Sequence, residues 1–338
     1  MRRTKIAIFG SAGVVASVCI RGLAERNADI VAGFELREIG KDLGLTAGIG
    51  RLGVAASEEK DAEAILKERR PDLVLDCTLN TVPEIFPHAK MCLENGINYM
   101  PVGVFCYDPF KTDPELAKQL DEIGKRTGAT YLGSGSAEVW QSLPMVLSAL
   151  GNKVSRVTLD FNALLNDFGA ECLEGCAFGL PRDQWDTLPQ DVFPSPFYSV
   201  LRMMAEKFGL TVENYRQEND YAAAPQDIDV ERLNVHIPKD TLCDYISRDI
   251  LTTKDGVELW AQSHYKFGVP GETNSFTVTV EGEPNFRMEI ENFHGDSSTS
   301  IIMVNRIPDV IRAPGGIRFV SDLPVITYKS ADAFRMED

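Results

Sequence analysis

The chain has no apolar run near the roughly 18 residues that a membrane helix needs, which excludes a helical membrane protein. It also lacks a secretory leader by pattern. Met1-Arg2-Arg3-Thr4-Lys5 is basic, but Ile6-Ala7-Ile8-Phe9 is too short for a signal core and Gly10 ends it. A cytoplasmic protein is expected. Basic residues are scarce: 34 Lys and Arg against 50 acids, a formal charge of -16. Such a surface repels nucleic acid and anionic lipid, so neither is an expected partner. Histidine occurs only four times, never as a His-x-x-x-His pair, and the seven cysteines are odd in number and loosely spaced. That excludes a disulfide framework. Cys172 and Cys176 resemble half of a metal site, but no second half accompanies them, so no metal is expected.

What is present is ordinary for a globular protein: 44% hydrophobic and 25% charged residues over 338 positions, enough for two domains. Residues 4–9 read as a buried strand. Gly10-Ser11-Ala12-Gly13-Val14 follows, then a helix to Ala24, a strand over residues 30–34, and Glu35. Strand, glycine turn, helix, strand and acid together make a dinucleotide site. The glycines leave room for a pyrophosphate, and the helix start offers free N–H groups. Glu35 is placed to accept the adenosine ribose hydroxyls, which favours NAD modestly over NADP, whereas Arg37 could swing onto a 2′-phosphate. Cofactor residues expected from this pattern are Gly10, Ser11, Ala12, Gly13, Val14, Glu35 and Arg37.

The unit repeats. Helices over 61–69, 83–95 and 113–127 alternate with strands over 72–78, 98–103 and 129–133, which predicts an α/β, Rossmann-type doubly wound parallel sheet over residues 1–150. Right-handed crossovers bring the strand ends to one edge, where ligands bind. Cys77, Thr78, Pro101, Val102 and Gly103 therefore join the expected cofactor site. Past a helix over 142–150 the character changes. Alternating stretches at 154–161, 229–237, 242–252, 257–267 and 275–281, with a helix at 197–208 and a Lys254-Asp255-Gly256 turn, predict an α+β domain with a mixed or antiparallel sheet over 151–290. The acidic pieces Glu218-Asn219-Asp220 and Asp227-Ile228-Asp229 read as solvated loops. Residues 291–338 read as a helix bent at Pro308 and a tail packing back towards the cleft.

The chain resembles the 2,4-diaminopentanoate dehydrogenases and the related native amine dehydrogenases, whose N-terminal fold is shared with dihydrodipicolinate reductase. The matching pieces run from Gly10-Ser11-Ala12-Gly13 through Ile39-Gly40-Lys41-Asp42-Leu43-Gly44 to Tyr131-Leu132-Gly133-Ser134-Gly135. The most specific is His294-Gly295-Asp296-Ser297-Ser298-Thr299-Ser300, continuing to Ala313-Pro314-Gly315-Gly316. The resemblance implies NAD(P)-linked interconversion of an amine with a ketone and ammonia through an imine, in a homodimer acting on a small molecule. One position departs from the family: Val104 stands where it carries a glutamate that handles protons during ammonia addition. Two alternatives follow, a C=O or C=C reductase on the same scaffold and a dinucleotide-binding protein without turnover.

Reduction of a C=N or C=O bond needs an acid within hydrogen-bond reach. Glu138 is the first candidate, past a strand end between Ala137 and Val139, where burial beside Trp140 would raise its pKa; a helix-capping acid is its structural alternative. Tyr107 and Asp108 come next, on the loop after Gly103, with Tyr107 as a packing residue the alternative. His294 opens the family-like motif and either lines the pocket or holds a loop. His88, His236 and His264 read as structural. Trp140, Phe161, Phe168 and Phe178 could wall an apolar pocket, with core packing the alternative for each.

Overall fold

The computed structural model describes residues 1–167, 177–188 and 195–337, which divide into two units. The first combines Met1–Val139 with Asp296–Asp338, and the second is Trp140–Gly295. The boundaries expected at 150 and 290 thus fall at 139 and 295. The C-terminal segment joins the first unit because that unit's sheet recruits a strand from the end of the chain.

That sheet has seven parallel strands. From one edge they are Gly316–Ile317, Thr130–Tyr131, Asn98–Pro101, Leu73–Asp76, Lys5–Phe9, Asp29–Glu35 and Ala56–Glu58. The order reverses beside Lys5–Phe9, so the crevice between Gly10 and Cys77 is the switch point where a doubly wound sheet binds its ligand. Ile6, Ala7, Ile8 and Phe9 are fully buried, as are Leu73, Val74 and Leu75. Burial on both faces explains their unbroken apolar run. Each fully buried isoleucine contributes about 1.5–3 kcal/mol.

Helices Val14–Glu25, Ala62–Arg69, Val82–Glu94 and Pro114–Thr127 link the strands. Thr81 and Glu84 form a capping box on the third, and Gly128, at φ +84°, stops the fourth. Two strands of this seven-stranded sheet were not expected. Ala56–Glu58 is short, and Gly316–Ile317 carries no pattern of its own because two residues have no period.

The second unit holds a six-stranded mixed sheet in the order Phe286–Glu291, Ser275–Glu283, Lys153–Leu164, Glu258–Lys266, Leu242–Thr253, Val212–Ala223. Only the Lys153–Leu164 and Glu258–Lys266 pair is parallel. The helix Phe197–Lys207 buries Phe197, Val200, Leu201 and Met204. Glu218-Asn219-Asp220, expected in a loop, lies inside the edge strand Val212–Ala223. Its inward positions Tyr215, Gln217 and Asn219 are polar and only half-buried, so the sequence lacked the apolar alternation that marks a half-buried strand. Residues 229–237 are a small hairpin, Ile228–Val230 against Val235–Ile237, joined by a 3-10 turn.

Among the described residues no helix is long and apolar enough to cross a membrane. Cys172, Cys176 and Phe168 lie outside the described residues.

Candidate active site in the first unit

The first strand ends at Phe9, and Gly10 turns the chain at φ +66°. A Cβ on Gly10 would sit 2.9 Å from the Cys77 carbonyl oxygen. Glycine is therefore required twice here, by the positive φ and by the approach of the neighbouring loop. The Gly10 N–H donates to the Phe34 carbonyl at 3.0 Å, and Gly13 N–H donates to Gly10 O at 3.1 Å. Gly13 caps the helix Val14–Glu25 with no side-chain partner, and the first turn holds no acid. The N–H groups of that turn thus face outward with the positive end of the helix dipole.

Glu35 lies beside this turn. Its Oε1 accepts the Ala12 N–H at 2.5 Å and its Oε2 the Leu36 N–H at 3.3 Å. A carboxylate held here by backbone can still offer lone pairs to a diol. Ser11 is fully buried, while Val14 and Arg37 are exposed. No acid pairs with Arg37 among the described residues.

The other loops of this edge pack against one another through glycines. A Cβ on Gly103 would lie 2.7 Å from Leu79 O and 2.8 Å from Asn80 O, and one on Gly133 would collide with the Cys106 carbonyl. Val102 N–H donates to Asp76 O and Cys77 N–H to Phe9 O. Pro101 is buried, Cys77 half-buried and Thr78 exposed. The structure thus brings Gly10–Gly13, Cys77–Asn80, Pro101–Cys106 and Gly133 to one edge. These residues fit a dinucleotide: a turn that cannot take a side chain, open N–H groups, and a carboxylate at the adenosine end.

Glu138 does not stand open to the cleft as expected. It is fully buried, at 0% exposure, in the first turn of the helix Ser136–Ser148. Both its oxygens accept from Arg306 Nε, at 2.9 and 3.2 Å, Oε1 also accepts from Arg306 Nη2, and Oε2 accepts the Ser134 hydroxyl at 2.9 Å. Arg306, also at 0%, donates from Nη1 to Asp309 Oδ2 and Pro324 O. Burial pushes the Glu138 carboxyl up, as expected, but the Arg306 guanidinium and the Ser134 hydroxyl pull against it. A carboxylate engaged this fully and shut from solvent ties the helix Ser136–Ser148 to Arg306 of the helix Gly295–Ile311, the place of a structural anchor and not of a proton donor.

Tyr107 is 2% exposed, and burial, with the Glu138 and Asp108 carboxylates, keeps its phenol well above the ordinary value. Asp108 is 1% exposed, and its carbonyl accepts the Lys111 and Thr112 N–H groups. Val104 opens the 3-10 turn Val104–Cys106 and is half-buried. His294 belongs to the second unit. Its side chain is exposed, and its Nδ1 accepts from Asn274 Nδ2 at 3.0 Å. Also in that unit, Trp140 stacks on Phe197 at 4.5 Å and meets Phe161 at 5.3 Å, and Phe178 packs edge-on to Phe267.

Sequence reasoning missed one cluster. Asp76, fully buried at the end of its strand, accepts from Tyr99 OH at 2.5 Å, pairs with His88 Nδ1 at 2.8 Å, and accepts the Thr78 N–H at 3.0 Å and the Thr78 hydroxyl. His88 Nε2 meets Glu59 Oε1 at 2.9 Å. The available signal was an aspartate ending a strand, with a histidine in the next helix.

Comparison with known proteins adds the following. The family profile of the 2,4-diaminopentanoate dehydrogenase C-terminal domain matches residues 139–337. The 2,4-diaminopentanoate dehydrogenase of Acetoanaerobium sticklandii is 23% identical over 96% of this chain and 94% of its own length. The amine dehydrogenase of Mycobacterium smegmatis superposes with a TM-score of 0.87 at 26% identity, covering 97% of this chain and 98% of that one. A dihydrodipicolinate reductase from Paenisporosarcina shares the fold, with a TM-score of 0.51 at 15% identity over 94% of this chain and 98% of that one.

Proposed function

The chain belongs to the family defined by the 2,4-diaminopentanoate dehydrogenase C-terminal domain and is an NAD(P)-dependent dehydrogenase or reductase; from this we propose that it acts on a C–N bond, as an imine reductase or amine dehydrogenase on a small molecule. The observation that carries the reading is the Gly10–Gly13 turn at the sheet's switch point, with Glu35 bonded to Ala12 N–H. The turn and the helix start hold the pyrophosphate, and Glu35 takes the ribose diol, with a modest preference for NAD over NADP. Bound nicotinamide supplies or accepts the hydride.

Val104 narrows the chemistry. Adding ammonia to a ketone and expelling water needs a group that moves protons, and the carboxylate the family places there is absent. Ketone reduction also needs an acid, for the developing alkoxide. A protonated imine needs neither: hydride adds to its carbon and yields the neutral amine directly. The substrate class that suits a pocket without that carboxylate is therefore a preformed imine.

The test follows NAD(P)H oxidation with a preformed cyclic imine, with ketones, and with ketones plus ammonia. Turnover with the imine alone is expected. Turnover with ketones regardless of ammonia would replace the reading with a C=O reductase, and none at all would favour a dinucleotide-binding protein. We further propose a homodimer, in keeping with the family, checked by light scattering at micromolar concentration. A cytoplasmic location fits the free thiols Cys19, Cys77, Cys92, Cys106 and Cys243.

A further inference from the structure

The end of the Leu73–Asp76 strand does two things. Its exit loop forms the wall of the glycine turn, because the Cys77 carbonyl lies where a side chain on Gly10 would be. Its last residue, Asp76, holds that loop from beneath through the N–H and hydroxyl of Thr78. Asp76 is held in turn by Tyr99 and His88, and His88 bridges to Glu59 in the 3-10 turn Glu59–Asp61. The imidazole is stacked on Phe9, the residue before Gly10, with ring centroids 4.0 Å apart and planes at 11°. One side chain thus touches both walls of the switch point.

We propose that Asp76 and His88 are positioning residues of the dinucleotide site, and that His88 must carry both its protons to hold the Cys77–Thr78 loop and the glycine turn in register for the cofactor. The proposal rests on the dinucleotide reading above. A neutral imidazole has one N–H and can donate to only one of two carboxylates, whereas the doubly protonated ring donates to both. The charged groups facing His88 are Asp76 from the strand and Glu59 from the 3-10 turn. Tyr99 acts on the cluster through Asp76; it and Tyr131, whose hydroxyl donates to the Cys106 carbonyl, stay protonated because burial raises their phenols, as it does the Cys92 thiol one helical turn on. Burial opposes the imidazolium, but Asp76 and then Glu59 outweigh it, so His88 titrates above its ordinary value. Asp76 titrates below its own, His88 and the Thr78 and Tyr99 hydroxyls outweighing burial. Cofactor affinity should therefore be highest with His88 charged and should fall as pH rises through its raised pKa.

NADH suits the test because it has no group titrating between pH 6.5 and 9. Its dissociation constant would be measured across that range by fluorescence titration for the wild type, His88→Gln and Glu59→Gln. The wild-type constant is expected to rise about threefold to tenfold with pH, by the loss of one charge-assisted hydrogen bond. His88→Gln should bind NADH about as weakly at pH 6.5 as the wild type does at high pH, with a flat profile. Glu59→Gln, in a partly exposed turn, should keep the transition but move it to lower pH, and it carries the test should His88→Gln fail to fold. A wild-type profile that is flat while NADH binds, or one that persists unchanged in both variants, overturns the positioning role and leaves the dinucleotide reading intact. If neither NADH nor NADPH binds at any pH, both fall.

Discussion

Two buried acids serve loops of the same sheet edge, and each is at 0% exposure. Glu138, past the Thr130–Tyr131 strand, is tied to a guanidinium; Asp76, at the end of Leu73–Asp76, is tied to an imidazole. Arginine cannot lose its proton in a protein, so the first anchor is permanent. Histidine can, so the second is conditional. The sheet thus holds one loop fixed and leaves the other, against the glycine turn, dependent on a titrating group. A buried acid at a strand end is not by itself a catalyst; its partner decides what it can do.

The largest break in this comparison should come from Arg306→Met, which strands a buried carboxylate. A loss of about 3–5 kcal/mol is expected, read from urea unfolding midpoints. The double variant Glu138→Leu with Arg306→Met should recover most of that loss, because a buried pair replaced by packed apolar groups is often neutral. A double variant as unstable as the single would mean that Arg306 acts mainly through Asp309 and the Pro324 carbonyl.

Next in size is Asp76→Asn. It keeps the shape, removes the charge that His88 neutralises and spoils at least one of the bonds to Thr78 and Tyr99. A loss of about 1–3 kcal/mol is expected at pH 7, with a fall in NADH affinity that Arg306→Met should not show if it still folds.

The smallest effect sharpens the contrast by pH. His88 has a raised folded pKa, so its stabilisation is complete below about pH 6.5, its unfolded value, and is lost as pH rises through the folded value. Asp76 has a lowered folded pKa, so its share is present above about pH 3.9 and lost as pH falls through the folded value. Thermal unfolding from pH 6.5 to 9 should therefore show a decline in the wild type, and none from this source in His88→Gln.

Much of the first unit was legible in sequence because its signals are local. Ile6–Phe9, Gly10–Gly13 and Glu35 lie within one continuous stretch, and the φ of Gly10 follows from the turn they make. The Glu138–Arg306 pair was not legible, since its members are 168 residues apart: Glu138 alone reads as a buried acid of the cleft, and nothing local links it to Arg306. Val212–Ala223 was lost for a different reason: an edge strand with polar residues on both faces has no period to detect. His88 fell between these cases. Its partner Asp76 is only 12 residues away, but reading the pair requires knowing that the helix packs back under the strand that precedes it.

The recruitment of Gly316–Ile317 beside Thr130–Tyr131 sets an order of events during synthesis. The six-stranded sheet has all its strands once residue 291 has left the ribosome, whereas the seven-stranded sheet still lacks an edge and Glu138 its counter-ion. Thr4 waits longer, for the carbonyl of Phe334, 330 residues downstream. Until Gly316–Ile317 is in place, Thr130–Tyr131 presents an open edge, the kind that captures foreign strands in crowded translation. The unit that contributes the earlier strands is thus the later to close its sheet, and residues 316–317 become the condition for covering the Thr130–Tyr131 edge.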